Sequence, residues 1–188
     1  MNNVFLIKKK FLLSSLLLSN FIFPSSVFAS TLSDKVNSYE NQGWSIGVTV
    51  FDTKSGKRES VHGEKRFHFN STIKALACAN VLAKVDKGQL ALDDFIELKK
   101  KDIVTYSPVT EKLIGKKLTL RDACEATLTY SDNTAANYAI SSVGGPDGLT
   151  AFMRSIGDNA LRSDRYEPDL TKNIEYDIRD TTTTDAMA

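Results

Sequence analysis

A serine and a lysine stand three positions apart in the stretch FNSTIKALACAN, residues 67–78. In a helix this spacing brings the hydroxyl of Ser71 and the amine of Lys74 to one face, with Cys78 one turn further along. The apolar residues around them predict that this face is buried. Because lysine is rarely buried without a partner, Lys74 is a candidate for chemistry rather than for packing.

A serine hydroxyl becomes a good nucleophile only when a base removes its proton. The two histidines of the chain, His62 and His68, lie in no nucleophile motif such as G-x-S-x-G. Lys74 can reach the Ser71 hydroxyl instead, provided that its amine is neutral part of the time, which burial favours and nearby carboxylates oppose. The Ser-x-x-Lys pattern alone is weak, because random order yields about one or two such matches in a chain of this composition.

Two further motifs follow in the chain. The stretch YSDN, residues 130–133, falls in the break between two predicted helices and would present Ser131 and Asn133 to a site, although plain helix capping explains it equally well. The stretch RYEPDL, residues 165–170, places Glu167 before a proline in an aperiodic charged loop, a type of segment that is usually solvated surface. The three motifs together, in this order, are far less probable by chance than any one of them alone.

Together the motifs Ser71–Lys74, Ser131–Asn133 and RYEPDL resemble those of the class A serine β-lactamases, whose signature includes S-x-x-K and S-D-N. Further similar landmarks extend the resemblance over nearly the whole chain after residue 29: TYSPV (105–109), GGP (144–146), IGD (156–158) and RDTTT (179–183). Within the class, the segments CAN, VTYSPVTEK and SDNTAANY are most similar to the carbenicillin-hydrolysing penicillinases.

The resemblance implies catalytic roles. Ser71 would attack the β-lactam carbonyl and become acylated, with Lys74 or Glu167 as the base for that step. Ser131 would pass the proton to the departing ring nitrogen. Asn133 would bind the substrate side-chain amide and help to hold Lys74. Glu167 would activate the water that hydrolyses the acyl-enzyme.

The resemblance also implies supporting roles. Tyr106 would line the entrance and pack on the substrate. Arg165 and Asp180 match the ion pair that closes the loop carrying Glu167. Cys78 and Cys124 match a disulfide of many family members, and a single cysteine pair in an oxidising compartment predicts the same bond.

The first 29 residues predict a secretory signal peptide. Lysines 8–10 form a basic segment, residues 11–23 are apolar, and a small-x-small cleavage site ends at Ala29. An uncleaved membrane anchor is the alternative. Export to the periplasm is therefore expected, and the predicted divisions are a signal peptide at 1–29, a helix with two strands of the sheet domain at 30–66, and a helical domain at 67–188.

Composition limits the partners. Lys and Arg total 24, of which three lie in the predicted signal peptide. The remaining 21 basic residues and the 23 acidic residues give a net charge of −2. This balance predicts neither a nucleic acid nor a membrane partner after signal cleavage. Two cysteines and two histidines without C-x-x-C or H-E-x-x-H spacing predict no metal site, and no cofactor is expected. The expected partner is a small-molecule β-lactam, and the expected state is a monomer.

The elements predicted from periodicity and turn residues are four main helices, a shorter first helix and one hairpin. They are a helix at 32–42, strands at 45–52 and 57–63, and a helix at 71–87 capped by Asn70 and ended by Gly88. Three more helices are predicted at 119–130, from after Asp132–Asn133 to before Gly144, and at 147–156. The resemblance implies an α/β two-domain serine β-lactamase/transpeptidase-like fold, with an all-helical domain beside a sheet domain. This chain is expected to supply most of the helical domain but only two strands, with an exposed edge.

Three departures from the family pattern affect these expectations. Thr171 stands where asparagine helps to hold the deacylating water, and Thr184 stands where a proline enters a helix. The chain ends at Ala188, before the Lys-Thr-Gly-type motif, so a truncated and inactive form is expected. The alternative functions are a penicillin-binding transpeptidase or carboxypeptidase, which lacks a residue equivalent to Glu167, and a β-lactam receptor domain that is acylated without release.

Overall fold

A computed structural model describes residues 26–172 and 174–188. The predicted signal peptide therefore lies mostly outside the described residues. The helices are α1 (Ser26–Glu40), α2 (Ile73–Asp86), α3 (Leu120–Tyr130), α4 (Asn133–Ser142), α5 (Gly145–Ser155) and α6 (Thr184–Met187). The strands are β1 (Val48–Phe51), β2 (Arg58–Val61), β3 (Arg66–His68), β4 (Phe95–Glu97), β5 (Lys117–Thr119) and β6 (Thr181–Thr183). Among the described helices, none has the length and apolar character needed to cross a bilayer.

The strands pair two by two, all antiparallel. The predicted hairpin forms as β1–β2, with Val48 opposite Val61, although both strands are shorter than expected. The sequence predicted no strand outside this hairpin, but the described residues contain two more pairs, β3–β6 and β4–β5, each a separate two-stranded sheet. These strands of three residues are too short to show a period in the sequence, and β3–β6 joins segments more than a hundred residues apart.

Helix α2 is the centre of the helical region and packs against α3, α4 and α5. Its side chains Ile73, Ala77 and Val81 are completely buried, whereas Ala75 and Ala79 on the opposite side are exposed. Cys78 and Cys124 form the predicted disulfide between α2 and α3, with their Cα atoms 5.7 Å apart. Helix α2 is thus held by packing against three helices and, at α3, also by a covalent bond.

Two predicted helix starts are confirmed by side-chain hydrogen bonds, and one predicted helix end is confirmed by its backbone conformation. Thr119 Oγ1 accepts from the Asp122 amide at 3.1 Å and begins α3. Asp132 Oδ1 accepts from the Ala135 amide at 2.9 Å and begins α4. Gly88 follows α2 with φ +66°, a left-handed conformation that glycine adopts without steric cost.

The start of α2 differs from the prediction that Asn70 caps it. A 3₁₀ turn over Asn70–Thr72 precedes α2, and the Phe69 carbonyl accepts hydrogen bonds from the Thr72 amide at 3.0 Å and from the Thr72 hydroxyl at 2.6 Å. Asn70 itself has φ +47°, a region that asparagine tolerates better than most residues. Ser71 therefore lies in the 3₁₀ turn, one turn before Lys74.

Candidate active site

Lys74 lies at the centre of a cluster of oxygen atoms. Its Nζ is 3.2 Å from Ser71 Oγ, 2.9 Å from both the carbonyl and the hydroxyl of Ser131, and 2.6 Å from Asn133 Oδ1. It is also 3.1 Å from Glu167 Oε1. The Lys74 side chain is 3% exposed and the Glu167 side chain 0%. The burial of Lys74 predicted from the sequence is confirmed, and its amine joins all the predicted catalytic side chains.

The two serines of the site contact each other directly. The Ser131 hydroxyl donates to Ser71 Oγ at 3.1 Å, and both hydroxyls lie within hydrogen-bond distance of the Lys74 amine. Ser71 is on the surface, whereas Lys74 beneath it is buried. A ligand can therefore approach Ser71 from solvent while the basic group stays behind it.

The buried carboxylate of Asp132 holds the loop that carries Ser131 and Asn133. Its Oδ2 accepts from the amides of Val109 and Thr110 at 3.0 and 2.9 Å, and its Oδ1 accepts from the Thr110 hydroxyl at 2.8 Å. The same carboxylate caps α4. Helix capping, the plain alternative for this motif, is thus also present, and it is what positions the two flanking side chains.

Asn133 connects Lys74 to the loop that carries Tyr106. Its Nδ2 donates to the Thr105 carbonyl at 2.8 Å, and its amide donates to the Tyr106 carbonyl at 3.0 Å. These bonds orient Oδ1 towards Lys74. The Tyr106 side chain is 63% exposed, and its place at the entrance of the site stays a prediction.

The backbone is strained at several points around the site. Asn70, Tyr106 and Ser131 all have positive φ, of 47°, 63° and 57°. Such a conformation is uncommon for residues other than glycine and costs about 1–3 kcal/mol each where the surroundings impose it. Here Lys74 holds the Ser131 carbonyl and Asn133 holds that of Tyr106, so the strain is offset by the bonds that build the site.

Glu167 is held by its backbone rather than by its carboxylate. Asn137 on α4 accepts from the Glu167 amide at 2.8 Å and donates to the Glu167 carbonyl at 2.9 Å. The carboxylate lies at ion-pair distance from Lys74, but in residues 26–172 and 174–188 neither of its oxygens accepts a hydrogen bond of good geometry. Asn137 was not identified from the sequence, where it looks like an ordinary polar residue of a helix.

The predicted ion pair between Arg165 and Asp180 closes the loop that carries Glu167. Arg165 Nε donates to Asp180 Oδ2, and Asp180 Oδ1 accepts from the amides of Asp164 and Arg165 at 2.8 and 3.0 Å. Asp180 is completely buried. The base of the loop is thus tied by one carboxylate that receives a charged donor and two backbone donors.

Two further aspartates strengthen this loop. A hydrogen bond from the Arg179 guanidinium lowers the pKa of Asp177 to about 2. A hydrogen bond from the Arg162 guanidinium likewise lowers the pKa of Asp164 below its ordinary value. Both carboxylates therefore remain charged well below neutral pH.

Thr171, which replaces the family asparagine, uses its hydroxyl locally. Its Oγ1 donates to the Pro168 carbonyl at 2.7 Å inside a short 3₁₀ turn, Asp169–Thr171. The hydroxyl proton is therefore committed to the loop backbone, and only the oxygen lone pairs remain for other contacts.

Comparison with known proteins agrees with this geometry. The model of a family described as the β-lactamase enzyme family matches residues 28–188. The chain belongs to this β-lactamase family. Beta-lactamase PSE-4 of Pseudomonas aeruginosa is 47% identical over 181 residues, covering 95% of this chain and 63% of PSE-4. Beta-lactamase AER-1 of Aeromonas hydrophila is 41% identical over 169 residues, covering 87% of this chain and 56% of AER-1. The chain thus spans less than two thirds of these β-lactamases.

Solved structures place the chain in class A of this family. One is the class A β-lactamase of the last common ancestor of Gram-negative bacteria (GNCA4). It is 51% identical to this chain with a TM-score of 0.81, and the match covers 84% of this chain and 61% of that one. The chromosome-encoded β-lactamase of Vibrio parahaemolyticus is 43% identical with a TM-score of 0.80, covering 83% and 60%. The predicted class A resemblance and its α/β fold are confirmed.

Proposed function

We propose that the chain carries the main catalytic groups of an exported class A β-lactamase that hydrolyses penicillins and thereby confers resistance. The observation that carries this proposal is the position of Lys74 Nζ within 3.2 Å of Ser71, Ser131, Asn133 and Glu167. One amine in contact with a nucleophile, a second hydroxyl and a carboxylate can move protons among all of them.

In the acylation step, Ser71 Oγ attacks the carbonyl carbon of the four-membered ring, and its proton passes to Lys74 or, through Lys74, to Glu167. The carbon–nitrogen bond of the ring then breaks. Ser131, whose hydroxyl touches both Ser71 and Lys74, delivers a proton to the ring nitrogen. The Ser71 amide, in the 3₁₀ turn that leads into α2, is one donor for the oxyanion that forms on the carbonyl.

In the deacylation step, Glu167 takes a proton from a water molecule while the oxygen of that water attacks the ester carbonyl. The ester bond breaks, and Ser71 recovers its proton. The two carboxylate oxygens of Glu167 accept no well-formed hydrogen bond from the described residues, which leaves lone pairs for this proton. Asn137 supports the step by holding the Glu167 backbone from both sides.

The substrate contacts complete the proposal. Asn133 would donate to the substrate side-chain amide, and exposed Tyr106 would pack on the substrate at the entrance. Carbenicillin-type penicillins are the proposed preferred substrates, on the sequence resemblance described above. The proposed enzyme acts as a monomer and uses no cofactor.

Two alternatives share the acylation step but not the release. A transpeptidase or a β-lactam receptor would form the same Ser71 ester and keep it. The Lys74–Glu167 contact favours a hydrolase, because a buried carboxylate at 3.1 Å from the shared amine supplies a base for water.

The experiment separates acylation from release. The chain is prepared alone and joined to the C-terminal segment of PSE-4 that lies beyond the matched part, each with a Ser71→Ala control. Intact mass after benzylpenicillin reports the acyl-enzyme, and nitrocefin absorbance reports turnover. We expect steady turnover in the joined protein and none in its Ser71→Ala form. Release of one equivalent of product with no further turnover would instead assign the receptor or transpeptidase function.

A further inference from the structure

Six exposed lysines gather at one end of the β4–β5 pair, on three segments of the chain. This lysine patch consists of Lys99, Lys100 and Lys101 after β4, Lys112 before the connecting turn, and Lys116 and Lys117 at the start of β5. The sequence shows two basic runs fifteen residues apart, and only the strand pairing makes them one surface.

Backbone hydrogen bonds fix this arrangement. The Leu98 amide donates to the Lys116 carbonyl at 3.0 Å, and the Gly115 amide donates to the Leu98 carbonyl at 2.8 Å. Leu98 is completely buried, so the register is anchored in the core. The run that starts at Lys99 therefore leaves the sheet beside the turn that carries Lys116.

The positive charge of the patch is only partly balanced. Between residues 95 and 117 the acidic residues are Glu97, Asp102 and Glu111, against six lysines, which leaves a charge of +3. Asp102 uses its carboxylate to accept from the Lys99 amide at 2.9 Å. In the part of the chain that the structure describes, none of the six ammonium groups lies within 4.0 Å of a carboxylate.

Apolar side chains are exposed among these lysines. Ile114, in the turn between the basic residues, is 44% exposed. Phe95 on β4 is 49% exposed, and Lys117 Nζ lies 3.9 Å from the centroid of its ring. Exposed ammonium groups together with exposed apolar side chains are complementary to a surface with anionic headgroups over an apolar layer.

We propose that the lysine patch docks the folded protein on an anionic lipid surface, with Ile114 at the headgroup level and the lysines on the phosphates. The overall balance of −2 after removal of the signal lysines argued against such a partner, but net charge does not describe how charge is distributed. The proposal concerns a surface outside the catalytic cluster and does not depend on the proposed hydrolysis.

The test compares two triple variants with the same change of charge. K100Q/K101Q/K116Q removes half of the patch, and K35Q/K54Q/K87Q removes three exposed lysines elsewhere. Binding of the full chain to phosphatidylglycerol–phosphatidylcholine vesicles is measured by co-sedimentation at several salt concentrations. Because three lysines near an anionic surface are removed, the patch variant should bind about 100-fold more weakly, and the control variant should bind nearly as well as the unmodified protein.

The N-terminal apolar segment could itself bind vesicles where it is retained. Because both variants contain it, only a difference in binding between them supports the patch. Ile114→Ser should weaken vesicle binding without changing its salt dependence. Equal losses in the two triple variants, equal binding to pure phosphatidylcholine, binding that salt does not weaken, or binding to heparin with none to vesicles would each overturn the proposal.

Discussion

The helical region around α2 and the hairpin β1–β2 are stabilised in different ways. The helical region contains three clusters of buried apolar residues and the Cys78–Cys124 disulfide. Before Phe69, by contrast, Val36 is the only buried apolar residue among those whose side chains are described. In the hairpin, Val50 is 49% exposed and Phe51 41%.

Polar contacts to α6 hold the hairpin instead of an apolar core. Asp185 Oδ1 accepts from the hydroxyls of Thr49 and Ser60 at 2.7 and 2.8 Å, and Arg58 donates to the Asp185 carbonyl at 2.7 Å. All the candidate catalytic groups lie in the other, densely packed region. Catalysis and local stability should therefore respond to different substitutions.

The largest expected effect concerns the site, in the protein joined to the PSE-4 segment. Glu167→Ala should lower turnover by about 10²- to 10⁴-fold, the usual contribution of a general base, while the acyl-enzyme accumulates. Ser71→Ala should prevent acylation itself. Intact mass and nitrocefin turnover check both. As a control, Glu64→Ala in the region before Phe69 should leave the rate unchanged; release at the normal rate in Glu167→Ala would exclude the proposed base.

The second expected effect is on the stability of the helical region. Replacing Cys78 and Cys124 by serine opens a loop of 46 residues, which should cost about 4 kcal/mol if the bond acts mainly on the entropy of the unfolded chain. Urea unfolding followed by circular dichroism measures the loss. Reductant should reproduce it in the unmodified protein, and an unchanged midpoint in both experiments would contradict the role given to the bond.

A smaller effect is expected in the hairpin. Asp185→Ala removes the acceptor of two hydroxyl hydrogen bonds, so the amides of β1 and β2 should exchange hydrogen several-fold faster while those of α2 keep their protection. Hydrogen exchange with mass spectrometry resolves the two regions, and Glu64→Ala serves as the matched control. Equal acceleration in α2 would mean that the two regions unfold as one unit.

The smallest effect is expected from pH. Hydrogen bonds from Arg179 hold the pKa of Asp177 at about 2, against 3.8 for the free side chain. Because the folded pKa is the lower one, this contribution is complete above about pH 4 and is lost as the pH falls towards 2. Hydrogen exchange of residues 162–180 should therefore accelerate in that window, and Asp177→Asn should remove this part of the pH dependence. An unaltered pH profile in the variant would refute the assignment.

Several features followed from short-range patterns and were predicted correctly. Ser71 and Lys74 lie one helical turn apart because their separation of three residues sets their distance in any helix. Thr119 and Asp132 begin helices because their side-chain oxygens reach amides three residues ahead. The incorrect capping role of Asn70 came from the same kind of reasoning, which did not anticipate a 3₁₀ turn before α2.

The sequence by itself determined which side chains are present, their local spacing and, through the resemblance, their expected roles. Only the tertiary structure decided that Lys74 meets Ser131 and Asn133, which are 57 and 59 residues away, and that Asn137 clamps Glu167. It likewise paired β3 with β6 and merged two lysine runs into one patch. Local patterns constrain contacts within a few residues. Contacts between distant parts of the chain depend on how whole elements pack, because the hydrophobic effect is non-directional and does not specify which apolar surfaces meet.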